Sequence, residues 1–301
     1  MSLPAVEPLP SLPGSYRWYY ADVVAGDTTA VFILLLGSPF SSRYAARAAR
    51  GALPAEHCGV NFALYQSGTR RQWVMTEHAR ASAAPDELRI GDSTLTYRDD
   101  GSLEFFVRER TAPFGAMTKA VLTLSPEVPP AAAQTLVDAH AWAPLALRAR
   151  ATLRLPLLNL VFEGRGYHDM NQGERPLGVD LPGWHWTRAH LAGSTHVDYR
   201  LPGGDSLRVS GSPQGVLVER CSSAPVAMAR TAWGLKVPRT LRAGPLELPS
   251  PRLLESSPFY ARLEAGGADA HLLGEVADFR RLRSPLVRWM ARLRTRVEAP
   301  A

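Results

Sequence analysis

Cysteine is scarce in this chain: two residues among 301, Cys58 and Cys221, neither in a Cys-x-x-Cys pair. That excludes a disulfide-stapled scaffold and a zinc centre built on thiolates, and it suits a reducing compartment. Long apolar runs are missing too. The longest, Ala30 to Leu36, falls far short of the roughly 20 residues that a membrane-spanning helix needs, so it reads as a buried strand. The opening "MSLPAVEPLPSLPG" has neither the basic start nor the apolar core of a secretory signal. It reads as a Pro-rich disordered lead-in over residues 1–14. No Gly-x-Ser-x-Gly elbow occurs, and "GRGYHD" lacks the third glycine of a dinucleotide fingerprint. His185, His190 and His196 match no usual ligand spacing, so no metal is expected.

Net charge is almost absent from the body. The formal net charge is +6, yet seven arginines (280, 281, 283, 288, 292, 294 and 296) stand against Asp278 and Glu298 in the tail, which leaves the rest nearly neutral. A nucleic-acid reader would carry its basic face on the main fold, so no nucleic-acid partner is expected.

What is present is a succession of short strand-like units: "RWYYADVV", "AVFILLLG", "GVNFALYQ", "RQWVMTEH", "STLTYRD", "SLEFFVRE" and "AVLTLSP". Turn signals at Gly26-Asp27, Ser67-Gly68 and Asp100-Gly101 separate several of them. Even spacing of this kind predicts an antiparallel barrel or sandwich. One helix is expected within residues 41–52, capped by Ser41 or Ser42. Pro126, Pro129 and Pro130 mark a connection followed by a turn of helix, after which strands resume. The chain therefore divides into the lead-in, all-β units at 15–140 and 141–278, and a tail at 279–301. In that tail Leu286, Met290, Leu293 and Val297 recur at helical spacing among arginines, with Trp289 beside them and Pro285 in the first turn. This predicts a basic amphipathic helix.

Aromatics are the next signal. Trp18, Tyr20, Trp73, Trp184 and Trp186 lie in strands; period two puts Trp18 with Tyr20, and Trp184 with Trp186, on single faces. Such residues either pack an ordinary core or wall an apolar cavity inside a barrel. The cluster Tyr167-His168-Asp169 has two readings as well. It is a hydrogen-bonded structural group at a strand end, or it places an ionisable group in an apolar pocket, where burial holds a carboxyl protonated and makes it a general acid. Glu77 and His78 are weaker candidates of that kind.

The blocks "GSYRWYYADV", "LLGSPFSSRYAARAARG", "HCGVNFALY", "WVMTEHAR", "GRGYHDMNQGERPL", "WHWTRAHL", "SPFYAR" and "RSPLVRWM" resemble, in order, those of the carotenoid 1,2-hydratases, also called hydroxyneurosporene synthases. The resemblance spans nearly the whole chain after residue 14. It implies an all-β fold of two tandem lipocalin-like antiparallel β-barrel domains, closed by the C-terminal amphipathic helix. It implies cofactor-free addition of water to the terminal C1=C2 bond of an acyclic carotenoid, with an acid protonating C2 and aromatic faces stabilising the cation at C1. Hydratases typically read Gly-Tyr-His-Asp-His-Asn-Trp-Gly where this chain carries Met170 and Gln172 in place of the second His and the Trp. They also carry a Tyr and an Asp two residues apart. One register sets Tyr199 on that Tyr and Leu201 on that Asp; another brings Asp198 into the acid's place.

The expected catalytic residues are thus His168, Asp169, Asp198 and Tyr199. Trp18, Tyr20, Trp73, Tyr167, Met170, Gln172, Trp184 and Trp186 are expected against the substrate. Relatives that fold polyenes as lipocalin-like cyclases, or that merely bind an apolar polyene or lipid, are the alternatives. Because carotenoids are insoluble in water, the tail helix is expected to meet a membrane surface. The expected location is cytoplasmic, peripheral at the inner face of the cell membrane.

Overall fold

The first strands set the pattern for the molecule. In Tyr16–Ala25 (β1), Tyr19, Ala21 and Val23 point one way and Tyr16, Trp18 and Tyr20 the other, as the two-residue period of a strand requires. Both faces are apolar, so both must be buried, and the sheet is covered on each side. The computed structural model describes residues 5–112, 115–137, 139–203, 205–222, 225–266 and 270–298.

The first sheet contains thirteen strands among these residues, twelve of them before Glu174 and a two-residue one from the tail. After β1 come Thr28–Leu36 (β2), Cys58–Gln66 (β3), Thr69–His78 (β4), Ala81–Ala83 (β5), Glu87–Ile90 (β6), Ser93–Tyr97 (β7), Leu103–Arg110 (β8), Met117–Pro126 (β9), Gln134–Val137 (β10), His140–Leu155 (β11) and Leu160–Gly173 (β12). The order is β4-β3-β2-β1-β12-β11-β9-β8-β7-β6-β5, with β10 on β11. The sheet curls, and Phe32, Leu34, Phe62, Phe105 and Leu122 fill its concave side. Phe32 and Phe62 meet at 4.9 Å between ring centroids. Ser67 and Gly68 both take positive φ (50° and 72°), the mirror-image turn that suits the twist of a two-residue hairpin.

The second sheet holds seven strands: Gly183–His190 (β13), Thr195–Arg200 (β14), Asp205–Ser212 (β15), Gly215–Ser222 (β16), and, after the short pairs Met228–Arg230 (β17) with Lys236–Pro238 (β18) and Thr240–Ala243 (β19) with Leu246–Pro249 (β20), Arg252–Ser256 (β21), Tyr260–Gly266 (β22) and His271–Asp278 (β23). Its order is β16-β15-β14-β13-β23-β22-β21. One face packs Ala189, Leu241, Leu263 and Leu272 into a core of its own. The other lies on the convex side of the first sheet, where Trp18, Tyr20, Leu35 and Trp142 meet Trp184, Trp186, Tyr199 and Phe259. Polar stitches cross this seam: Arg188 to Asp22, both fully buried, Tyr65 Oη to Glu255 at 2.7 Å, and Thr29 Oγ1 to Glu264 at 2.6 Å.

Helix Ser42–Ala48 (α1) is capped by Ser41, whose hydroxyl accepts the Tyr44 N–H. A short helix, Phe279–Leu282 (α2), precedes Pro285–Arg294 (α3), which starts at its proline. The tail helix therefore ends earlier than Val297, because Arg296–Val297 (β24) turns back to pair in parallel with β4.

Other expectations shift as well. The chain changes sheet between Gly173 and Gly183 rather than near residue 140, since β11 and β12 complete the first sheet, with β12 hydrogen-bonded between β1 and β11. The Pro-rich connection leads into β10 and not into a helix. The lead-in is anchored from residue 5 onward: Val6 is buried in the first core, and its N–H donates to Pro85 O at 2.8 Å. Residues 1–4 and 299–301 lie outside the described part of the chain.

Candidate active site between the sheets

The registers build the site. On the first sheet Tyr20 sits opposite Asp169, and Trp18 opposite Asn171. On the second, Tyr199, Trp186, Glu275, Arg262 and Glu255 form one cross-strand row from β14 to β21. The rows face each other across the seam, so the cavity lies between the sheets and not, as expected, inside a barrel, whose concave side is already filled. Gly173 makes room for this arrangement. A Cβ there would stand 2.4 Å from the Tyr16 ring, so glycine lets Tyr16 lie over β12 and stack on Trp18 at 5.4 Å.

The main cavity is about 380 Å³, within the size range of small-molecule sites. Ile33, Leu35, Met75 and Phe259 line it with Trp18, Tyr20, Trp73 and Trp184, and Trp233, Trp289 and Leu293 rim it. Beyond Trp18, Tyr20 and Trp184 lies a chamber of about 20 Å³ that Asp169, Asn171, Trp186, Tyr199 and Glu275 complete. Glu275 borders both spaces.

Asp169 is the group with chemistry to offer. Burial among aromatic rings pushes its carboxyl up to about 7, against the pull of its hydrogen-bond donors, a value at which a carboxyl can hold a proton near neutral pH. Oδ2 accepts from Trp142 Nε1 at 2.8 Å and Tyr167 Oη at 2.7 Å, whereas Oδ1 accepts only a longer bond from Asn171 Nδ2 at 3.2 Å. Oδ1 is thus the less engaged of the two oxygens. Tyr20 meets Trp186 edge-on at 5.5 Å, and Trp18 lies 5.7 Å from Trp184, a set of π faces suited to an adjacent cation.

The structure brings Trp18, Tyr20, Trp73, Asp169, Trp184, Trp186 and Tyr199 to these two spaces. Tyr167 lines neither, but it backs the chamber, bonded to Asp169 and packed against Tyr20 and Trp186. The period of β12 sends the alternate residues elsewhere. His168 is buried on the concave side, with Nδ1 2.8 Å from Tyr20 O and Nε2 3.0 Å from Tyr97 Oη. Burial pushes its imidazole down to about 4, and it touches neither space. Met170 packs in the same concave core. Gln172 Oε1 accepts from Arg17 Nε and Nη2 at 3.1 and 2.9 Å.

Asp198 faces away from the seam, because Tyr199 next to it faces in. Arg208 Nε at 3.0 Å, Arg200 at 3.4 Å and the Gly244 N–H at 3.2 Å hold it. Leu201 packs at the edge of the seam core. Glu77 is engaged by His57 and Ser41, and His78 by Glu109. Among the described residues no cluster of three His, Cys, Asp or Glu side chains is placed to hold a metal ion. Glu275, Arg262, Glu255, Asn171 and Trp142 escaped sequence reasoning. The signal that could have found the first two is a charge at an inward position of an otherwise apolar strand, in "YARLEAG" and "HLLGEVAD".

A family model described as carotenoid hydratase CrtC matches residues 32–299. The chain is similar to an acyclic carotenoid 1,2-hydratase of Thiocapsa roseopersicina, 33% identical over 294 residues, covering 92% of this chain and 72% of the relative. It is 32% identical over 292 residues to one of Rubrivivax gelatinosus, covering 90% and 68%. Among solved structures, kievitone hydratase of Nectria haematococca superposes with a TM-score of 0.57 at 9% identity, covering 92% of this chain and 94% of that one. An AttH-like protein of Nitrosomonas europaea superposes with 0.56 at 13% identity, covering 87% and 92%. At such identities the structures speak for the mostly β fold alone.

Proposed function

The chain belongs to the carotenoid hydratase CrtC family, and from that premise we propose that it adds water to the terminal C1=C2 bond of an acyclic carotenoid, with Asp169 as the acid. The observation that carries this is the buried carboxyl of Asp169, raised to about 7, in an aromatic chamber beside an apolar cavity. The polyene end enters past Trp73 and Met75. Asp169 delivers its proton to C2, and the π electrons of the double bond form the new C–H bond. The tertiary cation left at C1 lies among Trp18, Tyr20, Trp184 and Trp186. Water adds its oxygen to C1 and loses a proton, giving the tertiary alcohol. Met170 and Gln172, which depart from the family pattern, sit on the opposite face of β12 and leave this chemistry untouched.

Two sheets, each with a core on its outer side, are consistent with tandem lipocalin-like barrels packed through their walls. We also place the working protein at an anionic membrane surface, the cytoplasmic face of the cell membrane. The support is that Leu286, Trp289 and Leu293 of α3 are 64%, 57% and 67% exposed and that Trp233 is 48% exposed, all at the cavity mouth or on the helix that forms it. Arg288, Arg292 and Arg294 lie on the same helix. Each arginine near an anionic surface contributes about 1 kcal/mol, and the polyene passes from bilayer to cavity without crossing water.

The test is incubation of the purified protein with neurosporene or lycopene in detergent and chromatography of the products. A 1-hydroxylated carotenoid is expected. Absence of product from every acyclic carotenoid, under conditions where a relative turns over, overturns the proposal.

A further inference from the structure

We infer that the small chamber seats the attacking water and that Glu275 is the base that takes its proton, an assignment that rests on the hydration chemistry above. The chamber's volume, about 20 Å³, suits one water, which needs at least roughly 10–15 Å³ and two to four polar partners. Such partners are there. The Tyr199 hydroxyl and Asn171 Oδ1 are buried with no hydrogen-bond partner in the protein, and both residues line the chamber with Asp169 and Glu275. Polar atoms so buried are ordinarily satisfied, and the water inferred in this chamber would give them a partner.

Glu275 is built as a base. Arg262 Nε and Nη2 both contact its Oε1, at 3.0 Å each, which leaves Oε2 unclaimed by the guanidinium. Arg262 is itself shared, with Nη1 3.3 Å from Glu255 Oε2 and 2.9 Å from Tyr65 Oη, so its neutralisation of Glu275 is divided. Two carboxylates against one guanidinium leave an excess negative charge beside the position of the C1 cation. The ionisable groups facing Glu275 are Tyr199, Tyr260 and Arg262 on its own sheet, and Tyr20, Asp22 and Asp169 from the other.

The step balances. Asp169 loses a proton to C2, C1 gains the water oxygen as the O–H bond breaks, and Glu275 gains that proton. The next water to enter relays it from Glu275 to Asp169, and both groups are restored.

Turnover of an acyclic carotenoid, polyene binding by tryptophan quenching and the pH–rate profile are measured for wild type and Glu275→Gln. The variant keeps side-chain volume and leaves Arg262 its Glu255 partner. Expected is a fall in kcat of about 100-fold or more, unchanged binding, and loss of the acidic limb of the profile, which reports the base. A structural role alone would not remove that limb. Near-normal kcat with the limb intact overturns the assignment while hydration stands; an inactive wild type overturns the hydration reading itself. Should Glu275→Gln fail to fold, Glu275→Asp keeps the charge and withdraws the carboxylate. A clear fall in kcat with the acidic limb retained is then expected, and unchanged kcat counts against the assignment.

Discussion

Asp169 and Asp198 share a residue type and a burial of 3% exposure, yet their surroundings give them opposite roles. Aromatic burial outweighs the neutral donors around Asp169 and raises its carboxyl to about 7; Asp198 has two arginines. Asp169→Asn and wild type should therefore differ in how stability responds to pH. A carboxyl whose folded value lies above its unfolded one, about 3.9, is protonated in the fold when it is ionised in the unfolded chain. Its contribution is full below pH 4 and is lost as pH rises through about 7. Denaturant unfolding should show the asparagine variant gaining on wild type between pH 5 and pH 8, by up to a few kcal/mol; no change in that difference would count against the raised value. Asp198→Asn should behave otherwise. Removing the partner of Arg208 and Arg200 is expected to cost about 1–3 kcal/mol of stability while kcat stays at the wild-type level. A collapse of kcat in a folded Asp198→Asn protein would return that residue to the mechanism.

Helix α3 is the element with the most to reveal. Val287 and Ala291 pack on the seam core, while Leu286, Trp289 and Leu293 are largely exposed, the last two at the cavity mouth. Replacing those three by serine removes apolar surface without touching the packed side. Vesicle co-sedimentation should show binding to anionic vesicles lost, and added salt should weaken the intact protein's binding. Equal binding by the triple variant would move the membrane contact elsewhere. The element scale also shows what was legible in advance. Period two located β1, β4 and β13, the Ser67-Gly68 hairpin announced itself, and Ser41 capped α1 as its type predicts. Along β12 the same alternation sets Tyr167 and Asp169 apart from His168, although the expected site took all three together. What it could not say is which face meets a cavity, because β1 and β12 are apolar on both sides. That choice is made by the second sheet, through contacts such as Arg188 with Asp22, more than 160 residues apart in sequence. Glu275 was hidden for the same reason: its meaning comes from Arg262 and the facing chamber.

At the scale of the molecule, two curved sheets, each with a core of its own, leave a seam whose apolar wall is open at α3 and whose inner end holds two carboxyls. Apolar cover favours the protonated form of Asp169, the Arg262 guanidinium favours the carboxylate of Glu275 against the same cover, and the ring faces offer a charge complement to a cation in the proposed reaction. The most direct measurement is the rate of 1-hydroxycarotenoid formation by Asp169→Asn beside wild type, with polyene binding to both measured by tryptophan quenching. The expected result is equal binding and a rate lower by about 100-fold or more, the loss that follows when a positioned acid is removed. An asparagine variant that binds the polyene and hydrates it at a rate near that of wild type would contradict the assignment of Asp169 as the proton donor.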